Sequence, residues 1–261
     1  MKKLLWTILA GTLAASAAWA APYVELKDGT RRQGTAIRAL PDGTIRLTTQ
    51  MGIQEIPKGG YAKAVADKPA ELDPALQALR AKDYDKAIAA LEGIVKKYRF
   101  LDWDVQAQKS LAQAYMEKGD AEKAVAAYTA LFGMSDEEKN NTDTQWLQRK
   151  AMVKAGQFAT LQKQLDAVAA NGTRKEAAKA QNMRGDIQLQ QNNLEPALLE
   201  YLRTATLFQD SADEETLGEA CYKAGEVLER IRDPRAKDMF RKAATEYKRS
   251  TYAAQAQKKL Q

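Results

Sequence analysis

The sequence has no histidine and a single cysteine, Cys221, in 261 residues. Those two shortages exclude histidine-based catalytic triads, histidine-ligated zinc and an intrachain disulfide framework. Proline is scarce as well. Seven occur, and none lies between Pro74 and Pro196. A proline-free stretch of that length suits long helices and fits an all-β fold poorly. After the first twenty residues no apolar run approaches the ~18 residues that a membrane-spanning helix needs. There is no calcium-loop spacing, Gly-rich phosphate loop or Gly-x-Ser-x-Gly elbow. No cofactor is expected. What is abundant is alanine, 47 residues, which points to closely packed helices.

Met1–Ala20 reads as an export signal. Lys2 and Lys3 form a charged start, Leu4 to Ala15 a short apolar run, and Ala18-Trp19-Ala20 a small-residue cleavage site. The run is short and alanine-rich for a ~30 Å hydrocarbon core, so cleavage after Ala20 is expected rather than anchoring. The net charge is +6 over the full sequence and +4 without Lys2 and Lys3. Basic and acidic residues are interspersed, and no basic stripe interleaves with aromatics, so nucleic acid is not an expected partner. Cys221, in the helix-forming context GEACYKAGEVL, is expected to be a buried packing residue.

Residues 21–60 read as a small antiparallel β module. Lys27-Asp28-Gly29 and Pro41-Asp42-Gly43 are turn signals. Thr44 to Thr49 alternates with period two, which puts Ile45 and Leu47 on one face. Three or four short strands in a meander are expected, packed on the first helices. The pattern Val-x-Leu-x-Asp-Gly, then Gly34, Asp-Gly, Ile-x-Leu-x-Thr and Gly-x-x-x-Ile-Pro resembles small SH3-like or Sm-like modules near the N-termini of some exported bacterial proteins. Residues 61–72 are expected to be a linker.

From residue 73 to 261 the chain repeats. A small residue is followed four places on by a large one at Ala87/Leu91, Ala124/Tyr128, Leu161/Leu165, Ala197/Tyr201 and Ala236/Phe240. The starts are 37, 37, 36 and 39 residues apart, a period that signals a solenoid of about five helix pairs. Each copy follows a turn: Lys82-Asp83, Gly119-Asp120, Gly156-Gln157, Asn192-Asn193 and Arg232-Asp233-Pro234. Gly or Asn can end one helix and Asp or Asn can cap the next. Asp73-Pro74 and Asp233-Pro234 read as helix starts with proline at the first position. Ser135 to Glu138 has capping-box spacing and predicts a short extra helix. The last stretch, Glu246 to Leu260, reads as a capping helix.

The second copy carries a family resemblance. Leu111, Ala112, Tyr115, Ala124 and Tyr128 look like the tetratricopeptide (TPR) pattern, with Leu131 where alanine is usual. Gly185, Ala197 and Tyr201 match in the fourth copy, and Ala224, Ala236, Phe240 and Ala243 in the fifth. The usual TPR period is 34, so the joins here are longer. The cadence Tyr247-x-x-Ser250-x-Tyr252-Ala253-x-x-Ala256 is similar to TPR proteins of the bacterial envelope. The resemblance implies a non-enzymatic scaffold that binds a protein or peptide in a helical groove. An accessory subunit of an envelope enzyme, or an enzyme with an unrecognised active site, is the alternative.

Carrying the TPR spacing over places Lys109, Gln113, Trp146, Lys150, Lys154, Asn182 and Asp186 on the groove face. Lysine and asparagine there can hold a carboxylate or an acidic segment. Trp146 reads either as an aromatic anchor or as core. The acidic clusters Asp102/Asp104, Asp136–Glu138 and Asp213–Glu215 fall at expected helix starts, where negative charge suits the helix dipole.

Overall fold

The computed structural model describes residues 21–261, so the segment read as an export signal lies outside the described residues. Among those residues the order is β1 (Tyr23–Leu26), β2 (Arg31–Gln33), β3 (Ala36–Ala39), β4 (Ile45–Thr49), β5 (Gly52–Ile56) and β6 (Tyr61–Val65). Then follow α1 (Leu72–Arg80), α2 (Tyr84–Lys97), α3 (Trp103–Lys118), α4 (Ala121–Met134), α5 (Asp136–Asn140) and α6 (Thr142–Lys154). The chain ends with α7 (Phe158–Asn171), α8 (Arg174–Gln190), α9 (Leu194–Leu207), α10 (Glu214–Arg230), α11 (Ala236–Thr245) and α12 (Thr251–Lys259). The fold is mainly α, a TPR-like set of five helix pairs with a capping helix and a small antiparallel β module. The chain divides into two compact units, one up to Leu111 and one from Ala112.

In the first unit the strands form two three-stranded antiparallel sheets, in the orders β2-β1-β6 and β3-β4-β5. This differs from a single meander. The strand β6 lies in the segment expected to be a linker and pairs with β1, Tyr23 opposite Val65. Its alternation is masked in the sequence by the small residues of Tyr61-Ala-Lys-Ala-Val65, which carry little hydrophobic contrast. Two turns share one device. In Leu26–Thr30 and Leu40–Thr44 an aspartate, Asp28 or Asp42, accepts the N–H of the threonine two residues on, at 2.9 Å in both. The glycine between, Gly29 or Gly43, takes φ of +83° or +88°, which a side chain resists. The sheets enclose Val24, Ile45, Leu47, Ile56 and Ala64. That core is completed by the connection after α2, through Leu101, Tyr98, Phe100 and Trp103, whose indole N–H donates to the Ala66 carbonyl at 2.7 Å. The module therefore packs on the connection between α2 and α3 and on Trp103, the first residue of α3.

In the helical region every aligned pair is buried: Ala87 and Leu91, Ala124 and Tyr128, Leu161 and Leu165, Ala197 and Tyr201, Ala236 and Phe240. Five turns close alike, on left-handed residues Lys82, Gly119, Gly156, Asn192 and Arg232, with φ from 58° to 96°. The N–H of the next residue reaches back five places each time. Asp83 donates to Ala78, Asp120 to Tyr115, Gln157 to Met152, Asn193 to Gln188 and Asp233 to Leu228, at 2.8–3.0 Å. Side-chain capping is less regular. Asp83 accepts from Lys86 N–H, and Ser135 caps the short α5 as its spacing predicts. Asp120 and Asn193 make no such bond. The expected proline starts are displaced: α1 begins at Leu72, ahead of Pro74, and α11 begins at Ala236, after Pro234. In the second place Asp233 binds the Arg235 side chain and backbone instead, which folds Pro234 into the turn.

Within the second unit the first helices of successive pairs, α6, α8 and α10, pack side by side, and each partners its own second helix. The last pair is closed by α12. Tyr247 and Ser250 sit against Gly218 of α10, and Arg249 and Thr251 bind Glu214 and Glu215 at the start of that helix. Cys221 is fully buried in this cluster beside Phe240 and Ala243, and burial pushes its thiol up to about 12, so it behaves as an apolar packing group.

Candidate functional site

The face shared by α6, α8 and α10 carries a ladder of residue pairs. Each rung is an i, i+4 pair, so both members lie on the same side of one helix. Trp146/Lys150 on α6 is followed 36 residues later by Asn182/Asp186 on α8, and 37 residues later by Glu219/Lys223 on α10. Lys109/Gln113 has the same spacing on α3; Lys109 belongs to the first unit and Gln113 to the second.

The lower rungs are bonded to each other. Lys223 Nζ donates to Asp186 Oδ1 at 2.6 Å and to Glu219 Oε1 at 2.8 Å. Two phenols close the group: Tyr201 O–H donates to Asp186 Oδ1 at 2.7 Å, and Tyr252 O–H to Glu219 Oε1 at 2.9 Å. The Asn182 amide donates to the Thr216 carbonyl at 2.9 Å and to Glu219 Oε2 at 3.3 Å. The ammonium also lies 5.8 Å from the Tyr201 ring centre. Burial works against the Lys223 charge, but Asp186 and Glu219 outweigh it and raise its pKa. For Glu219, burial likewise opposes ionisation, and Lys223 overrides it and lowers the pKa. At Asp186 burial prevails over Lys223 and the pKa is raised. One ammonium thus serves two carboxylates in a poorly hydrated corner.

The upper rung is different. Lys150 and Lys154, one turn apart on α6, are exposed and make no ion pair or hydrogen bond among the described residues. Lys150 acts on Glu219 through space. Trp146 is buried, with the Arg149 guanidinium 4.7 Å from its ring centre, and so occupies the core rather than standing out as an anchor. Its indole N–H and Arg149 Nε have no partner among the described residues. Gln113 is exposed and donates to Glu117 at 2.7 Å.

Sequence reasoning named Asn182 and Asp186, and the structure brings them against Glu219 and Lys223, which it missed. The signal was present, since both stand one 37-residue period further on. Tyr201 was read as packing alone; its ring fills the notch at Gly185 while its hydroxyl reaches Asp186. Among the described residues no group of three or more His, Cys, Asp or Glu is placed to hold a metal ion. Among them, too, no helix is long and apolar enough to cross a membrane.

The fold is a TPR-like helical solenoid. No protein-family model and no curated protein matches the chain. Solved structures similar to it include MamA 41-end from Desulfovibrio magneticus RS-1, at 19% identity over 69% of this chain and 94% of that one, TM-score 0.46. Another is the MamA RS-1 ArsTM double mutant, at 19% identity over 69% and 93%, TM-score 0.44. A third is BtubC (BKLC) from P. vanneervenii, at 15% identity over 67% and 76%, TM-score 0.45.

Proposed function

We propose that the protein is an exported, non-enzymatic scaffold that binds a protein or peptide segment along the face of α6, α8 and α10. The observation that carries this reading is the ladder itself. Polar and charged residues recur at one period on adjacent helices, and Lys150, with Lys154 one turn further on, is an exposed cation that makes no ion pair or hydrogen bond among the described residues. Extended segments dock on such faces by matching side chains to successive rungs. The signal-like pattern of residues 1–20 supports a periplasmic or extracellular location, peripheral to the outer membrane, and a role in envelope assembly or maintenance. The turn pattern of residues 21–60 supports an SH3-like or Sm-like reading of the β module as an accessory to the repeats.

Affinity capture from envelope extract, with wild type and a Lys150→Glu/Lys154→Glu variant, tests the reading. Both lysines are exposed, so the variant is expected to keep its helical circular-dichroism signal while losing defined partners. Retention of the same partners by a folded variant overturns the groove reading.

A further inference from the structure

We propose that the corner formed by Asn182, Asp186, Glu219 and Lys223 takes a guest cation from the bound segment, the ammonium or guanidinium of a lysine or arginine side chain. This rests on the groove reading and deepens it by giving the sign of one charge on the partner. It also reverses the sequence expectation that this part of the face holds a carboxylate.

Three observations carry it. The first is charge balance. Asp186 and Glu219 share one contacting cation, Lys223, so two carboxyl groups meet a single ammonium at the corner. Lys150 acts on Glu219 only through space, from an exposed position and with no direct ion pair among the described residues. The second is an unfilled acceptor. Asn182 is 1% exposed, and its Oδ1 has no hydrogen-bond partner among the described residues. Its orientation is fixed by the neighbours: the amide nitrogen faces the Thr216 carbonyl and Glu219 Oε2, and flipping would set oxygen against oxygen twice. A buried acceptor left unmade costs free energy, so the site gains by receiving a donor. The third is a second open acceptor one turn away. Tyr201 and Lys223 both donate to Asp186 Oδ1, and Oδ2 receives no hydrogen bond among the described residues. Asn182 and Asp186 are four residues apart on α8, so the two open acceptors share one side of the helix. A guest with several N–H donors and a positive charge answers both the open oxygens and the charge; a carboxylate answers neither.

The test uses ¹⁵N-labelled protein and three probe peptides, Ac-Ala-Ala-Lys-Ala-Ala-NH2 and its glutamate and norleucine counterparts. The readout is the Asn182 side-chain amide signal. The lysine peptide is expected to shift it saturably, with affinity about tenfold or more above the other two. Lys223→Met removes the resident cation and is expected to tighten the lysine peptide, an outcome that a purely structural corner would not produce. Asp186→Asn is expected to weaken it about tenfold. Equal or better binding of the glutamate or norleucine peptide, or no shift with the lysine peptide on wild type, overturns the proposal without any variant having to fold. The two readings separate cleanly. If the glutamate peptide alone shifts signals on α6, α8 and α10, the groove stands and the cation corner falls. If the lysine peptide binds while the Lys150/Lys154 variant keeps every captured partner, the groove reading falls, and what stands is a cation-accepting corner without a segment bound along α6.

Discussion

The third helix pair and the two after it solve one packing problem by different means. Seven residues before each left-handed turn residue, α8 has Gly185 and α10 has Gly225, whereas α6 has Arg149. In the fourth and fifth pairs the glycine makes room for a ring. A Cβ on Gly185 would stand 2.5 Å from the Tyr201 ring, and one on Gly225 would stand 2.7 Å from that of Phe240. The third pair has no ring at the aligned place; Leu165 is buried there instead. Arg149 is half-buried, stacks on Trp146 and leaves Nε without a partner among the described residues. Burial depresses its pKa, the mark of a cation held where water is scarce. The backbone turn thus sets the period in every pair, and the glycine notch is a separate device of the fourth and fifth pairs.

The sharpest way to break this comparison is to add a methyl group at each glycine notch. Gly185→Ala and Gly225→Ala are expected to destabilise by about 2 kcal/mol each, because the ring is fully enclosed and cannot swing aside. Ala197→Leu overpacks the same seam from the second helix and is expected to cost about 1–3 kcal/mol. Arg149→Ala is the control, expected to stay within about 1 kcal/mol of wild type, since the lost stacking is offset by removing a buried unpaired donor. Urea unfolding of the four variants measures this. Glycine variants as stable as wild type would show that the notch is loose.

A smaller effect is expected at the start of α10. Asp213 accepts the Thr216 N–H at 2.8 Å and pairs with Lys175 at 2.9 Å. Burial opposes its ionisation, but Thr216 and Lys175 hold its carboxyl down to about 2, against an ordinary 3.8. A depressed folded-state pKa gives stability that is complete above the unfolded value and disappears as pH falls through the folded one. Asp213→Ala is therefore expected to cost about 1 kcal/mol at neutral pH. The gap from wild type narrows as pH falls from about 4 toward 2. A gap that is constant across that window would assign the effect to packing rather than to the charged cap.

Which parts of this were legible beforehand follows from how local their causes are. The five buried small–large pairs were readable because one helical turn separates their members, and a fixed chain offset carries the pattern from copy to copy. Ser135 and the Asp-Gly turns were readable for the same reason, since their bonds span two or three residues. The pairing of β6 with β1 joins residues about forty positions apart and leaves no mark in the composition of either strand. The Asn182–Glu219 and Asp186–Lys223 bonds are equally remote, and only extending the ladder by one more period exposes them. Trp146 was ambiguous because a tryptophan on a helix face has the same spacing whether it turns inward or outward. Its stacking on Arg149 settles the direction, and that depends on a residue the repeat pattern treats as an irregularity.

The smallest expected effect concerns what the pairs have in common. All five turns need a left-handed residue, yet only Gly119 and Gly156 are glycines. Lys82 and Arg232 hold φ of 63° and 58° with a side chain, a conformation that costs a residue other than glycine about 1 kcal/mol or more. Asn192, at 62°, is the cheaper exception, because asparagine tolerates this region. Lys82→Gly and Arg232→Gly are therefore expected to stabilise by about 0.5–1 kcal/mol, after allowing for the extra freedom glycine gives the unfolded chain. Asn192→Gly should gain less, and it also removes the Arg230 hydrogen bond to that side chain. Thermal melts of the three variants order these gains. Equal gains at all three positions would mean that the strain is carried by the turn as a whole, and that the identity of its left-handed residue matters less than the bonds closing behind it.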